Sequence, residues 1–121
     1  MFSTTPEAYF VRRARSERSV SFGGLPDNRF DGVALLDVIK IVESWVGKVR
    51  PDAIYTHHPG DLNIDHSITF RAVLSATRPG ASAVIVPEIY AFEVPSSTEW
   101  AFQRIEPVFR PSVFVDITTG I

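Results

Sequence analysis

Between Val33 and Thr77 the chain changes its hydrophobic period twice, and that switch restricts the folds open to it more than any other feature. From Val33 to Val46 apolar residues fall three and four apart, at Leu35, Leu36, Ile39, Val42 and Val46, with Asp37, Lys40, Glu43 and Ser44 between them. The spacing predicts an amphipathic helix, ended by Gly47 and Pro51. Asp52 to Thr56 is a short β-favouring run and predicts a buried strand. Ile64 to Thr77 returns to helical spacing and stops at Arg78-Pro79-Gly80, since proline disfavours helical geometry in its predecessor and glycine accepts positive φ. Helix, strand and helix in this order predict an α/β layer architecture with a largely parallel sheet and flanking helices, Rossmann-like in plan.

The flanks are less regular. Met1 to Pro6 reads as a leader, Glu7 to Arg18 permits a helix, and Val20 to Phe22 is a short strand candidate stopped by Gly23-Gly24. Leu25 to Phe30 has turn chemistry, with Pro26 and Asp27-Asn28 setting a tight loop. Ala83 to Val86 and Ile89 to Val94 are β-favouring runs divided by Pro87, Pro95 to Arg110 is expected to be an ordered loop, and Val113 to Ile117 a last strand. Residues 1–19 are therefore expected to stand apart as a leader or helix from a domain over 20–121. A doubly wound domain usually starts on a central strand, so a first strand only at Val20 and no helix after Ile117 suggest a domain cut at both ends.

Behind the predicted strand, Tyr55 to His66 reads Tyr-Thr-His-His-Pro-Gly-Asp-Leu-Asn-Ile-Asp-His and holds all three histidines of the chain with Asp61 and Asp65. Open α/β sheets bind ligands at the carboxyl ends of their strands, which is where this loop would lie. Imidazoles and carboxylates gathered there suit a divalent metal or acid–base chemistry. The chain has no cysteine, so a metal would have to be held by His, Asp or Glu.

Composition narrows the remaining classes. With 121 residues, 45% hydrophobic and 12% aromatic, the chain has enough apolar surface for one packed domain. A net charge of −2 gives no field for nucleic acid, and the cluster Arg12, Arg13, Arg15 and Arg18 is broken by Glu17 and apolar residues, as on a solvated helix face. No apolar run approaches the roughly 18 residues of a membrane span, and no signal-like apolar stretch opens the chain, so a cytoplasmic protein is expected.

Three segments in order, Gly24-Leu25-Pro26-Asp27-Asn28-Arg29, then His57 to His66, then Glu88 to Trp100, resemble the LmbE-like (PIG-L) family of zinc-dependent N-deacetylases, which includes the GlcNAc-PI de-N-acetylases. The likeness runs from about Val20 to Ile117. It implies a mononuclear zinc at the carboxyl ends of the strands and hydrolysis of the acetamide of an N-acetylated amino sugar or conjugate. In the family two ligands come from a His-Pro-Asp-Asp motif and the third from the histidine of an Asp-His pair, which matches His66; the aspartate before it, Asp65, is implied to orient an imidazole or water beside the metal. No His-Pro-Asp-Asp occurs in residues 1–121, so two ligands and the aspartate implied as general base are absent, and the zinc site is incomplete. Many members carry a histidine where this chain has Asn63, whose amide can donate to an oxyanion but cannot shuttle a proton.

The resemblance thus assigns Asp65, Asn63 and His58 as catalytic candidates, Asp27, Asn28, Asp61 and His57 as substrate-binding candidates and His66 as metal ligand. Each has a plain structural reading as well. Asp65 falls in a helix's first turn, where a carboxylate suits the dipole; His66 has the reading of an ordinary half-exposed histidine, Asp27 and Asn28 of turn formers, Glu93, Ser96, Ser97, Glu99 and Trp100 of loop packing, and Trp45 of a core residue. The chain is expected to be an inactive fragment of such a deacetylase; the alternatives are a non-catalytic sugar- or nucleotide-sugar-binding module, and a subunit that completes a related copy, including a homo-oligomer.

Overall fold

The computed structural model describes residues 9–11, 20–81 and 83–118. Three strands, β1 (Tyr9–Val11), β2 (Ala53–His57) and β3 (Glu88–Phe92), form one sheet in the order β1-β2-β3. β2 pairs antiparallel with β1, Tyr9 opposite Tyr55, and parallel with β3, from Ala53 opposite Glu88 to His57 opposite Phe92. Helices α1 (Leu35–Val49) and α2 (Ile64–Thr77) flank it, and α2 is the crossover that a parallel neighbour requires. The α/β class is as the hydrophobic periods imply, with the sheet mixed by its antiparallel edge strand.

α1 buries Val38, Val42 and Val46, one every fourth residue, with Leu35 and Ile39 half-buried beside them. Leu36, placed on the apolar stripe by spacing, is 60% exposed because the stripe runs through Val38 instead. The helix begins at Ala34 without a side-chain cap, a lack worth about 1 kcal/mol. Burial of three valines at about 1.5–3 kcal/mol each outweighs that. Gly47 does not stop the helix; it continues to Val49 and closes on Arg50 in the left-handed region, φ 50°, whose N–H reaches the Val46 carbonyl.

β2 alternates as a half-buried strand should: Ile54 and Thr56 are fully buried against the helices, and Tyr55 is turned away, stacked on its register partner Tyr90 at 5.2 Å. The core joins Ile54 to Phe30, Val38, Val42, Val46, Ala72, Val73 and Ala76. α2 has the bounds that the sequence predicts, capped by the Asn63 side chain, which accepts from the Asp65 N–H at 2.9 Å. At its far end Arg78 is extended ahead of Pro79.

Four expectations fail. Tyr9–Val11 is strand where a helix over 7–18 was open, and residues 12–19 and the leader 1–6 lie outside the described residues. Val20 to Phe22, Ala83 to Val86 and Val113 to Ile117 form no strand, leaving Val20, Phe22, Ile85, Phe114 and Val115 70–85% exposed. β-branched residues favour a strand only where a neighbour supplies the other half of the ladder. Among the described residues no helix is long and apolar enough to cross a membrane.

Candidate metal centre

The histidine loop leaves the carboxyl end of β2, as open α/β sheets require of a ligand site. His57 is the last residue of β2 and His66 stands in the first turn of α2, so strand end and helix start bring the two rings face to face. Their centroids are 3.8 Å apart and their planes 4° from parallel. Between them the chain turns sharply, the Asp61 N–H facing the His58 carbonyl, and this returns Asp61 to His66: the His66 Nδ1–H donates to Asp61 Oδ2 at 2.8 Å. The Asp61 side chain is fully buried, while His66 keeps 14% of its side chain exposed. Its second oxygen, Oδ1, accepts from the Thr98 hydroxyl at 2.6 Å.

His57, Asp61 and His66 each offer one ligand atom, and these lie within 4.8 Å of one another. Burial pushes the His57 pKa down to about 4, helped by the neighbouring His66 and opposed by Asp61. The ring is therefore neutral at pH 7, with a nitrogen lone pair free for a metal. Its Nδ1 is buried and has no hydrogen-bond partner, a costly state that a bound cation would relieve. Two imidazoles and a carboxylate are zinc donors, so the residues present fit that ion. Lone pairs of parallel rings do not converge, however, and one ion shared by both imidazoles requires one ring to turn out of the stack.

The other candidates separate from this cluster. Asp65, implied to orient an imidazole, instead accepts from the backbone N–H of Asn28 at 2.5 Å and of Phe30 at 3.0 Å; the carboxylate at the His66 ring is that of Asp61. Asp65 thus ties the Asp27-Asn28 turn to the head of α2, and Asn28, φ 57°, holds the turn's left-handed position. Asn63 caps α2 through its oxygen. His58 donates from Nε2 to the Pro107 carbonyl at 2.8 Å and meets Phe109 edge-on, so that nitrogen is committed to holding the later chain. Asp27 is exposed.

That later chain was the part of the site least visible in sequence. α3 (Pro95–Thr98) docks on the loop through Leu62 N–H to the Ser97 carbonyl, 3.1 Å, besides the Thr98 contact. Gly60 is packed so closely that a Cβ there would lie 2.1 Å from the Pro107 carbonyl oxygen. Two adjoining cavities, of about 260 and 570 Å³, open beside the docked segment and share His58, Glu93, Val108 and Phe109. Tyr55, Tyr90 and Phe92 line the larger one. One signal for the Asp61–His66 pair was available: His66 lies three residues past the cap Asn63, where a side chain reaches back toward the residues before the helix. Nothing local marks Thr98.

Residues 7–77, more than half of the chain, match a family model described as PIG-L, GlcNAc-PI de-N-acetylase. The match begins ahead of residue 20, where the motif likeness begins. No curated protein and no solved structure matches the chain.

Proposed function

The chain belongs to the GlcNAc-PI de-N-acetylase (PIG-L) family, and from that premise we propose that it carries part of the zinc site of an N-deacetylase acting on an N-acetylated amino sugar or its conjugate. The observation that supports this reading is the buried cluster of His57, Asp61 and His66 at the carboxyl end of β2. His66 would hold the ion through Nε2, because Nδ1 is engaged by Asp61. The unpartnered His57 nitrogen would be the second donor once a ring turned. When bound, zinc supplies Lewis acidity toward water and toward an amide carbonyl.

The chain's own residues do the rest of what it can do. Asp61 holds the His66 ring, Phe92 covers His57 at 5.0 Å, and the cavity beside His58 offers a sugar-sized recess lined by aromatic rings and by the polar groups of Glu93, Arg110 and Ser112. The His-Pro-Asp-Asp aspartate that the family likeness implies as base is not among residues 1–121, so this chain by itself is expected to bind zinc weakly and to release no acetate. Calorimetric titration with zinc tests the first half: weak binding lost in His66→Ala supports the reading, and binding untouched by that change overturns it. Adding an upstream strand ending in His-Pro-Asp-Asp tests the second: zinc-dependent release of acetate from N-acetylglucosamine conjugates is expected to appear. Turnover by the unaltered chain that survives His66→Ala would refute it.

A further inference from the structure

Three hydrogen bonds in series run from the backbone of α3's first turn to the His66 ring, and chemistry fixes the direction of each. The Val94 N–H can only donate, and it does so to Thr98 Oγ1 at 2.8 Å. Thr98 then has its own proton to give, and the acceptor in reach is Asp61 Oδ1 at 2.6 Å. An ionised carboxylate only accepts, so Asp61 Oδ2 receives the proton on His66 Nδ1 at 2.8 Å. No link in the series can be reversed while Asp61 is ionised.

We propose that Thr98, acting through Asp61, is a positioning residue that locks His66 in the tautomer with the proton on Nδ1 and leaves Nε2 bare. The proposal rests on His66 being the metal-facing imidazole, but it concerns a residue beyond the family match, which ends at residue 77, and 37 positions from Asp61. The physical need is plain. Asp61 is fully buried, and with only His66 as partner its other oxygen would keep a carboxylate rotor free to turn. A second bond from Thr98 fixes both oxygens and therefore the plane against which the imidazole sets itself. The Thr98 hydroxyl is in turn oriented by a main-chain donor, so the geometry is set by the short α3 segment and not by a mobile side chain. His57, stacked on the ring at 3.8 Å, restrains the remaining rotation about the face.

The tautomer is read by nitrogen-15 NMR of the metal-free, full 121-residue chain at a pH where His66 is neutral. His66 is expected to show a protonated Nδ1 and a bare Nε2, and the Thr98 hydroxyl proton to exchange slowly with water. Thr98→Ser should keep this pattern, and Thr98→Val, which keeps the shape and removes the hydroxyl, should mix the two tautomers. In Asp61→Asn the Thr98 hydroxyl claims the amide oxygen and turns the NH2 toward His66, so the proton should move to Nε2. Zinc affinity should then fall about 10- to 100-fold. A proton on Nε2 in the unaltered chain overturns the proposal, as does a rapidly exchanging Thr98 hydroxyl, whether or not any variant folds. A Thr98→Val spectrum identical to that of the parent chain overturns it as well. Failure to bind zinc with the tautomer still locked would instead count against the metal-facing role of His66 and leave the relay standing.

Discussion

The stretch from Leu35 to Thr77 and the stretch from Phe102 to Thr118 are both well supplied with apolar residues, yet the first is the core of the molecule and the second lies mostly exposed without regular structure. In the first, each apolar stripe has a counterpart: Val38, Val42 and Val46 share one core with Ala72, Val73 and Ala76 of the helix packed against them, and with Ile54. In the second, Val113, Phe114 and Val115 are 60–81% exposed, and the side-chain anchoring to the histidine loop comes from the part near Pro107 and Phe109. Apolar content is therefore not what separates them. What separates them is whether the neighbouring surface repeats at the same period, a property of pairs of segments.

The contrast can be broken most directly by truncating one residue in each. Ile54→Ala should cost about 2–5 kcal/mol in denaturant unfolding, the range for a fully buried branched side chain. Phe114→Ala should stay within about 0.5 kcal/mol. Equal losses would mean that the later chain is part of the core after all. Asp65→Ala comes next, at about 2–3 kcal/mol, because it leaves the buried Phe30 N–H and the Asn28 N–H without their acceptor. Thermal melts of Asp65→Ala beside Asp27→Ala, an exposed position, separate this tie from turn propensity.

Gly60→Ala probes the seam between the two regions. The added carbon would meet the Pro107 and Ile105 carbonyl oxygens, and a loss of about 1–3 kcal/mol is expected. Hydrogen exchange should quicken at the Leu62 N–H, which faces Ser97, while amides inside α1 stay protected. An unchanged Leu62 would show that the seam does not depend on that close approach. The last effect is confined to acid. With its folded pKa near 4 against 6.5 unfolded, His57 binds fewer protons in the folded chain, so its share of stability is complete above about pH 6.5 and is lost as pH falls toward 4. His57→Gln should flatten the dependence of the urea midpoint on pH in that window, and a slope unchanged by the substitution would contradict the burial argument.

Sequence made the central elements legible because their causes are local. Asn63 and Pro79 bracket α2, and the apolar run of β2 stands between turn formers. β1 was hidden in a pattern equally open to a helix, and the strands expected at 20–22, 83–86 and 113–117 failed because pairing is decided by remote partners. The site divides in the same way. His57, Asp61 and His66 all stand out in the sequence, but it is the turn at His58–Asp61 that brings Asp61, and not Asp65, to the His66 ring. Thr98 follows β3 in the chain and lies 37 positions from Asp61, and no spacing rule spans that interval.

The parallel ladder of β2 and β3 has a practical consequence for anyone trimming this chain. Cut to the family-matched residues 7–77, it would retain every histidine and both helices that pack the core, and so look self-sufficient on paper. It would nonetheless strip β2 of a neighbour paired from Ala53 to His57, bare the edge next to His57, and take the hydroxyl from Asp61 and the carbonyl from His58. The stretch shared with relatives and the stretch that holds itself together have different boundaries, and the scissors should follow the second.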